Sequence, residues 1–308
     1  MPKVFDCFLF FNELDLLEIR LNVLSPVVDR FVLCEARQDH KGRPKPLHFQ
    51  ENRARFAPFL DRIIHIVADD LPPGGTSEAD HFRRENRQRN ELARGLVEAD
   101  GEDFVIVSDL DEIPRPEIVR AIAGANPVLP TIHLFELRWY YYFLNYEKSR
   151  RWNLDGPRMT RKRHMISPQS LRRLRWPRRR FRLRRLLWTR NHYGRMVDLR
   201  RHADAGWHFS YMNGIEAVTE KLASYAHNHS AGERDPRHIA RSIAVGRSYN
   251  TADNTADTDS LTLRPIDASF PAYIRENQDR LRHLVADEAR LAEIGRLAEG
   301  NGSGAERG

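Results

Sequence analysis

The chain has 308 residues, length for one large or two modest domains and for a core that needs no disulfide or metal staples. Its two cysteines, Cys7 and Cys34, both lie inside apolar runs, which excludes a disulfide scaffold and a cysteine-ligated zinc module. The net charge of +7 is confined to one segment: between Asp155 and Asp198 stand 15 Lys+Arg and no acidic residue, leaving 35 basic against 43 acidic residues elsewhere.

Val4–Phe11 is a short aromatic and β-branched run that reads as a strand. Apolar residues at 14, 16, 17, 21 and 24 then follow at helical spacing until Pro26 closes the helix. Asp6, Asn12, Glu13 and Asp15 interrupt the opening run, so it does not read as a signal peptide. No stretch reaches the about 18–20 apolar residues of a membrane-spanning helix. The expectation is a cytoplasmic protein. Arg30–Ala36, Ile63–Val67 and Phe104–Ser108 read as further strands. The breaker Leu71-Pro72-Pro73-Gly74-Gly75 precedes a polar helix over Glu78–Glu98. Short apolar strands alternating with helices predict an α/β fold, a mostly parallel sheet between helical layers. Ligands of such sheets bind at the carboxyl ends of the strands. That singles out Asn12-Glu13, Glu35-Ala36, Ala68-Asp69-Asp70 and Asp109-Leu110-Asp111-Glu112.

The second half is less regular. Ile132–Tyr146 is aromatic and predicts one or two strands, and Gly206–Tyr211 another. Ile215–Ala226, Pro236–Arg247 and Phe270–Leu297 are helical by pattern. The Gly/Ser-rich end, 299–308, predicts a disordered tail. The organisation expected is a catalytic domain over 1–230 with an arginine-rich insertion at about 158–195, then a helical extension over 231–298.

Four constellations bear on chemistry. The run Phe104-Val105-Ile106-Val107-Ser108-Asp109-Leu110-Asp111-Glu112 delivers three carboxylates to the end of an apolar strand. Alternation would send Asp109 and Asp111 the same way, and two convergent carboxylates suit Mg²⁺ or Mn²⁺ with diphosphate oxygens completing the shell. The structural alternative is a solvated acidic turn. Second, Gly206-Trp207-His208 precedes Asn213-Gly214 and Glu216 in a first helical turn. His208 is a borderline metal ligand, and Glu216 a general base if it reaches a substrate hydroxyl. A core histidine and a dipole-complementing glutamate would look the same. Third, on the helix 78–98, Arg83, Arg87 and Asn90 share a face while Glu85 and Arg89 form an i,i+4 pair. Its guanidinium groups suit a diphosphate, or merely a solvated face. Asn12, Glu13 and Glu35 stand where a base and ribose would be held, or serve as loop and capping residues. Fourth, residues 171–188 hold nine arginines interleaved with Leu, Trp and Phe, and Pro177 forbids one continuous helix. Arginines with aromatic wedges fit an anionic membrane or acceptor better than a nucleic acid, or else a solvated loop.

The opening Phe5-Asp6-Cys7-Phe8-Leu9-Phe10-Phe11-Asn12-Glu13, the Val28–Ala36 run, the Ser108-Asp109-Leu110-Asp111-Glu112-Ile113-Pro114 turn and the Ala205-Gly206-Trp207-His208-Phe209-Ser210 run together resemble glycosyltransferase family 17, over about residues 3–230 in order. The resemblance implies a GT-A-type, Rossmann-like nucleotide-sugar fold, a UDP-sugar donor (UDP-GlcNAc in the characterised branch), a divalent metal and inversion at the anomeric carbon. It puts Asp109 and Asp111 in the metal and nucleotide-sugar motif. Arg84, Arg89 and Asn90 fall on the donor side, Glu216 at the acceptor base, and His208 or His227 at a further metal contact. The expected partners are a donor and a glycan or lipid-linked glycan acceptor. An anionic membrane would be touched through Arg172–Arg185, and no nucleic acid is expected. No membrane anchor like that of Golgi members is expected at the amino terminus, which argues against an N-glycan acceptor. A bacterial-type surface glycan or its lipid-linked precursor, which a basic membrane-facing patch would suit, is the expected acceptor. A metal-dependent nucleotide-sugar hydrolase and a non-catalytic arginine-rich adaptor are the competing readings.

Overall fold

The computed structural model describes residues 2–73, 75–125, 127–153, 155–177, 181–212, 214–224, 235–249 and 260–299. In chain order the elements are β1 (Val4–Leu9), α1 (Leu14–Leu24), β2 (Arg30–Ala36), α2 (His48–Glu51), β3 (Ile63–Ala68), α3 (Glu78–Glu91), β4 (Phe104–Asp109), β5 (Glu112–Pro114), α4 (Pro116–Ala123) and β6 (Thr131–Phe135). Then come β7 (Arg138–Tyr141), β8 (Tyr146–Lys148), β9 (Arg158–Arg161), α5 (Pro168–Arg172), α6 (Arg182–Tyr193), β10 (Asp198–His202), β11 (Gly206–Ser210) and α7 (Gly214–Ser224). The last are α8 (Pro236–Ala244), β12 (Leu261–Leu263), α9 (Ala272–Glu276) and α10 (Glu288–Glu299). The chain divides into two compact units, Met1–Leu137 with Trp152–His208, and Arg138–Arg151 with Phe209–Gly308.

The first unit is built on a seven-stranded sheet of order β10-β6-β9-β4-β1-β2-β3. β1 lies parallel to β2 and β4, β2 to β3, and β10 to β6, while β9 runs antiparallel to both β4 and β6. Alternation along the strands sends Phe5, Cys7, Val32, Cys34, Val105 and Val107 into one core, covered by Leu92 and Leu96 after α3 and by Leu171 on α5. α1 covers the opposite face, where its Arg20 reaches Asp6 on β1 and Ser108 on β4. Cys7 and Cys34 are free and buried.

The helix expected over 78–98 starts in a capping box, Ser77 with Asp80, but its α-helical part stops at Glu91 and tightens into a 3₁₀ turn, Leu92–Leu96. Within that turn a Cβ at Gly95 would stand 2.3 Å from Val32 Cγ1, so the bare glycine backbone lets the turn lie close on the sheet.

In the second unit β8 pairs antiparallel with β7 and with β12. Its core gathers Tyr142, Phe143, Val218, Leu222, Ile239 and Ile243. The pattern over Phe270–Leu297 read as one helix, and the structure breaks it into α9, a 3₁₀ turn at Arg282–Leu284 and α10. The backbone between them is hydrogen-bonded elsewhere. Leu284 O accepts from Leu144 N at 2.8 Å, and Ala286 exchanges bonds with the Asn145 side chain at 3.0 and 2.8 Å. No helix among the described residues is long and apolar enough to cross a membrane. The tail expected after residue 299 lies outside the described residues.

Candidate functional site

The acidic turn is held from beneath by its main chain. Arg20 is fully buried and pairs with Asp6 through two nitrogens at 2.8 and 2.6 Å. Its Nη1 donates to the carbonyls of Asp109, Leu110 and Glu112 at 2.9, 3.0 and 2.8 Å, and its Nη2 to Ser108 Oγ at 2.6 Å. A buried charge needs a complete set of partners, and this one finds them on the turn that displays the carboxylates.

Above that base the carboxylates diverge. β4 ends at Asp109, Leu110-Asp111 make a turn, and β5 begins at Glu112, so strand alternation stops before it can align Asp109 with Asp111. Asp109 accepts from Arg89 Nη2 at 3.0 Å on one oxygen and from Arg172 Nη2 at 2.8 Å on the other. Burial opposes its ionisation, yet Arg172 and Arg89 outweigh burial and hold the Asp109 carboxyl down at about 2. Arg89 is in turn gripped by Glu85 at 2.6 Å and Gln169 at 2.7 Å. Glu112 is fully buried, and its two oxygens accept from Arg172 at 2.9 and 2.8 Å, from Trp152 Nε1 at 2.6 Å and from the Asp109 main-chain N–H at 3.1 Å. Burial nevertheless pushes the Glu112 carboxyl upward, against the pull of Arg172.

Asp111 turns instead to His208, whose Nε2 lies 3.4 Å from Oδ1. His208 arrives on β11, where it pairs with Glu112 across the β5–β11 ladder, and Trp152 packs on its ring at 4.6 Å. Two ligands at adjacent corners of a Mg²⁺ or Mn²⁺ octahedron stand about 3 Å apart, so this carboxylate and imidazole fit one cation with little movement. Among the described residues no group of three His, Cys, Asp or Glu side chains stands ready for a metal. Two protein donors suit an ion whose remaining positions go to water and phosphate.

The other residues marked by the sequence are placed as follows. Asn12 and Glu13 sit half-buried between β1 and α1, at the carboxyl end of β1. Glu35 is buried at the end of β2, accepting from the Phe49 and Gln50 main-chain N–H groups and facing His65 Nε2 at 2.8 Å, so it ties α2 to the sheet. Arg84 donates to the carbonyls of Pro72, His40 and Gly75, each at 3.0 Å, and braces two loops. Asn90 accepts from Gln169 N at 3.2 Å and anchors the first turn of α5. Glu216 stands exposed in the first turn of α7, in the second unit. His227 and Arg178–Arg180 lie outside the described residues.

One assignment is corrected. Arg172, which composition groups with the docking arginines of 172–185, is 6 % exposed and belongs to the acidic turn. Trp152, Arg20 and Asp6 were missed as site residues. The signal for the last two was a charge in the middle of an apolar strand and another on a buried helix face, positions that demand a mutual partner.

An acidic turn of this kind, presented at the end of a parallel strand, here belongs to a glycosyltransferase. The chain is a member of glycosyltransferase family 17, whose family model matches residues 1–164, a stretch holding the turn, Arg20, Arg89 and Trp152. It is 34% identical over 108 residues to the beta-1,4-mannosyl-glycoprotein 4-beta-N-acetylglucosaminyltransferases of Homo sapiens and Rattus norvegicus. That stretch covers 33% of this chain and only 20% of each relative. Among solved structures, the inositol-1-phosphate CTP transferase from T. maritima aligns at 12% identity over 67% of this chain and 87% of its own, with a TM-score of 0.32.

Proposed function

We propose that this chain transfers N-acetylglucosamine from UDP-GlcNAc to a hydroxyl of a glycan acceptor, in a metal-dependent reaction that inverts the anomeric carbon. The first unit would be its GT-A-type nucleotide-sugar fold. The observation that carries the reading is the acidic turn, in which two carboxylates are held by arginines while Asp111 faces a histidine. The family match and the printed name of the curated relatives support the transfer chemistry and the choice of sugar.

Asp111 and His208 are the residues to hold Mn²⁺ or Mg²⁺, which when bound supplies Lewis-acid neutralisation of a leaving diphosphate. Asp109, fixed by Arg89 and Arg172, is the group for the donor's ribose, and Asn12 and Glu13 stand at the neighbouring strand end for the base. Glu216 is the base assigned to the acceptor: it takes the hydroxyl proton as the oxygen bonds to the anomeric carbon and UDP departs with the electron pair of the broken C–O bond. The acceptor is a bacterial-type surface glycan or its lipid-linked precursor.

Thermal unfolding with Mn²⁺ and a panel of nucleotide sugars tests this. UDP-GlcNAc should raise the melting temperature of the wild type, GDP- and CMP-sugars should not, and Asp111→Asn should abolish the metal-dependent part of the shift. No UDP-dependent shift would sink the donor assignment. Release of free GlcNAc at the same rate with and without a glycan acceptor would favour a hydrolase instead.

A further inference from the structure

Six of the eleven large apolar side chains that stand exposed among the described residues fall between residues 166 and 196. That stretch lies within the segment between Asp155 and Asp198, which has 15 Lys+Arg and no acidic residue. α6 organises the patch. Its inner side is fixed by Thr189, whose hydroxyl donates to Val197 O at 3.2 Å, and by buried Tyr193, which donates to His164 O at 3.1 Å. Its outer side carries Leu183 and Leu187, one turn apart and 65 % and 46 % exposed, with Arg184 and Arg190 beside them. Phe181, 64 % exposed, precedes the helix, and Trp176 adds a second exposed aromatic. Arg184 lies over the Phe181 ring at 5.8 Å and Arg185 over Trp176 at 5.2 Å, so the cations border the apolar groups instead of standing apart from them.

We infer that the outer face of α6, with Phe181 and Trp176, seats this protein on an anionic lipid surface. Three arguments select that occupant. A second copy of the chain would bring the same acid-free, arginine-rich segment against this one, and like charges would repel. A nucleic acid would satisfy the arginines but offers little to the aliphatic Leu183 and Leu187, which have no ring for a base to stack on. An anionic bilayer matches both parts at once: headgroup phosphates take the guanidinium groups, and the acyl boundary takes leucine, phenylalanine and tryptophan. Arg172 takes no part, being bound within the acidic turn. This inference is independent of the donor and metal assignments, because its readout is partition and not turnover.

The test is co-sedimentation of the full chain with vesicles of phosphatidylcholine alone and of equimolar phosphatidylcholine and phosphatidylglycerol, with poly(U) RNA as competitor. Binding should require the anionic lipid and weaken with salt. The charge-neutral triple variant Phe181→Ser, Leu183→Ser, Leu187→Ser should lower the partition coefficient by about tenfold or more while leaving the melting temperature in place, since all three side chains already face solvent. A second variant, Arg184→Gln with Arg190→Gln, should reduce binding and flatten its salt dependence. The inference is overturned by equal binding to neutral vesicles, by no binding to anionic ones, or by a serine variant that binds as well as wild type. Displacement of the protein from anionic vesicles by stoichiometric poly(U) would assign the patch to nucleic acid.

Discussion

Replacing Arg172 by methionine separates the two roles that an arginine at this position could have. A solvated, lipid-facing arginine could be replaced with a change in stability within about 0.5 kcal/mol. The structure gives a different answer. Arg172→Met keeps the length of the side chain but removes two charge-assisted bonds to Glu112, one to Asp109 and one to Gly156 O, all between 2.8 and 2.9 Å. Glu112 is fully buried, so it would be left as a carboxylate without its cation. Removing one member of such a pair costs about 3–5 kcal/mol. The cost should sit toward the lower end of that range, because Glu112, already pushed upward by burial, can escape by taking a proton while keeping Trp152 and the Asp109 N–H as donors. A carboxyl whose folded pKa lies above its unfolded one supports the fold below the unfolded value and loses that support as pH rises through the folded value. The Arg172→Met deficit should therefore grow as pH rises above the ordinary carboxylate range. Urea unfolding followed by circular dichroism on the wild type, Arg172→Met, Glu112→Gln and the double variant measures it. The double variant should be less damaged than the sum of the singles, by about 1–3 kcal/mol. Additivity within about 0.5 kcal/mol, or a harmless Arg172→Met, would refute the buried pairing.

Two further outcomes follow from the same unit. Gly206→Ala should destabilise by at least about 2 kcal/mol, because a Cβ there would meet Ile113 O at 2.2 Å and Leu137 Cδ2 at 2.9 Å; a denaturation midpoint equal to wild type would show that the β5–β11 pair adjusts freely. Burial, then His202 at 2.8 Å and Arg200, hold the His133 imidazole down at about 3 from an ordinary 6.5. The folded protein keeps it neutral while the unfolded chain binds its proton. Stability should thus be full above pH 6.5 and fall toward pH 3 with a limiting slope of about 1.4 kcal/mol per pH unit. Melting temperatures from pH 7 to pH 5 should fall less steeply in His133→Phe, and parallel curves would count against the buried neutral pair.

The parts legible in the sequence are those that local patterns decide. Apolar spacing placed α1 at Leu14–Leu24 and β2 at Arg30–Ala36, and the i,i+4 rule gave the Glu85–Arg89 pair, observed at 2.6 Å. The acidic turn was visible for the same reason, because three carboxylates closing an apolar strand stand out in any window. What surrounds the turn was not legible, since its partners come from far along the chain. Arg172 is 63 residues from Asp109, and Trp152 is 40 from Glu112. Within a run of nine arginines, nothing in composition marks the one that turns inward. The local clue is Ser167-Pro168, a side-chain cap and a first-turn proline that start α5 and aim Leu171 at the core with Arg172 beside it.

The arrangement gives different surroundings to carboxylates that the sequence treated alike. Each oxygen of Asp109 already accepts from an arginine, and its carboxyl is held at about 2 by those cations, so a metal ion at Asp109 would have to displace a guanidinium from a buried position. Glu112 is enclosed by Arg172 and Trp152 and lies fully buried. Asp111 differs from both: the group opposite it is an imidazole, which as the neutral ring offers a lone pair where an arginine offers only N–H donors. Under the metal dependence proposed above, a cation would meet two donors at Asp111 and His208, whereas Asp109 already faces two guanidinium groups. Arg20 completes the division of labour. It grips the turn by the carbonyls of Asp109, Leu110 and Glu112, so it holds the backbone without using the carboxylates above it. The turn thus presents Asp111 from a frame held by its own main chain, which would preorganise it for the metal-dependent binding of a charged donor proposed above.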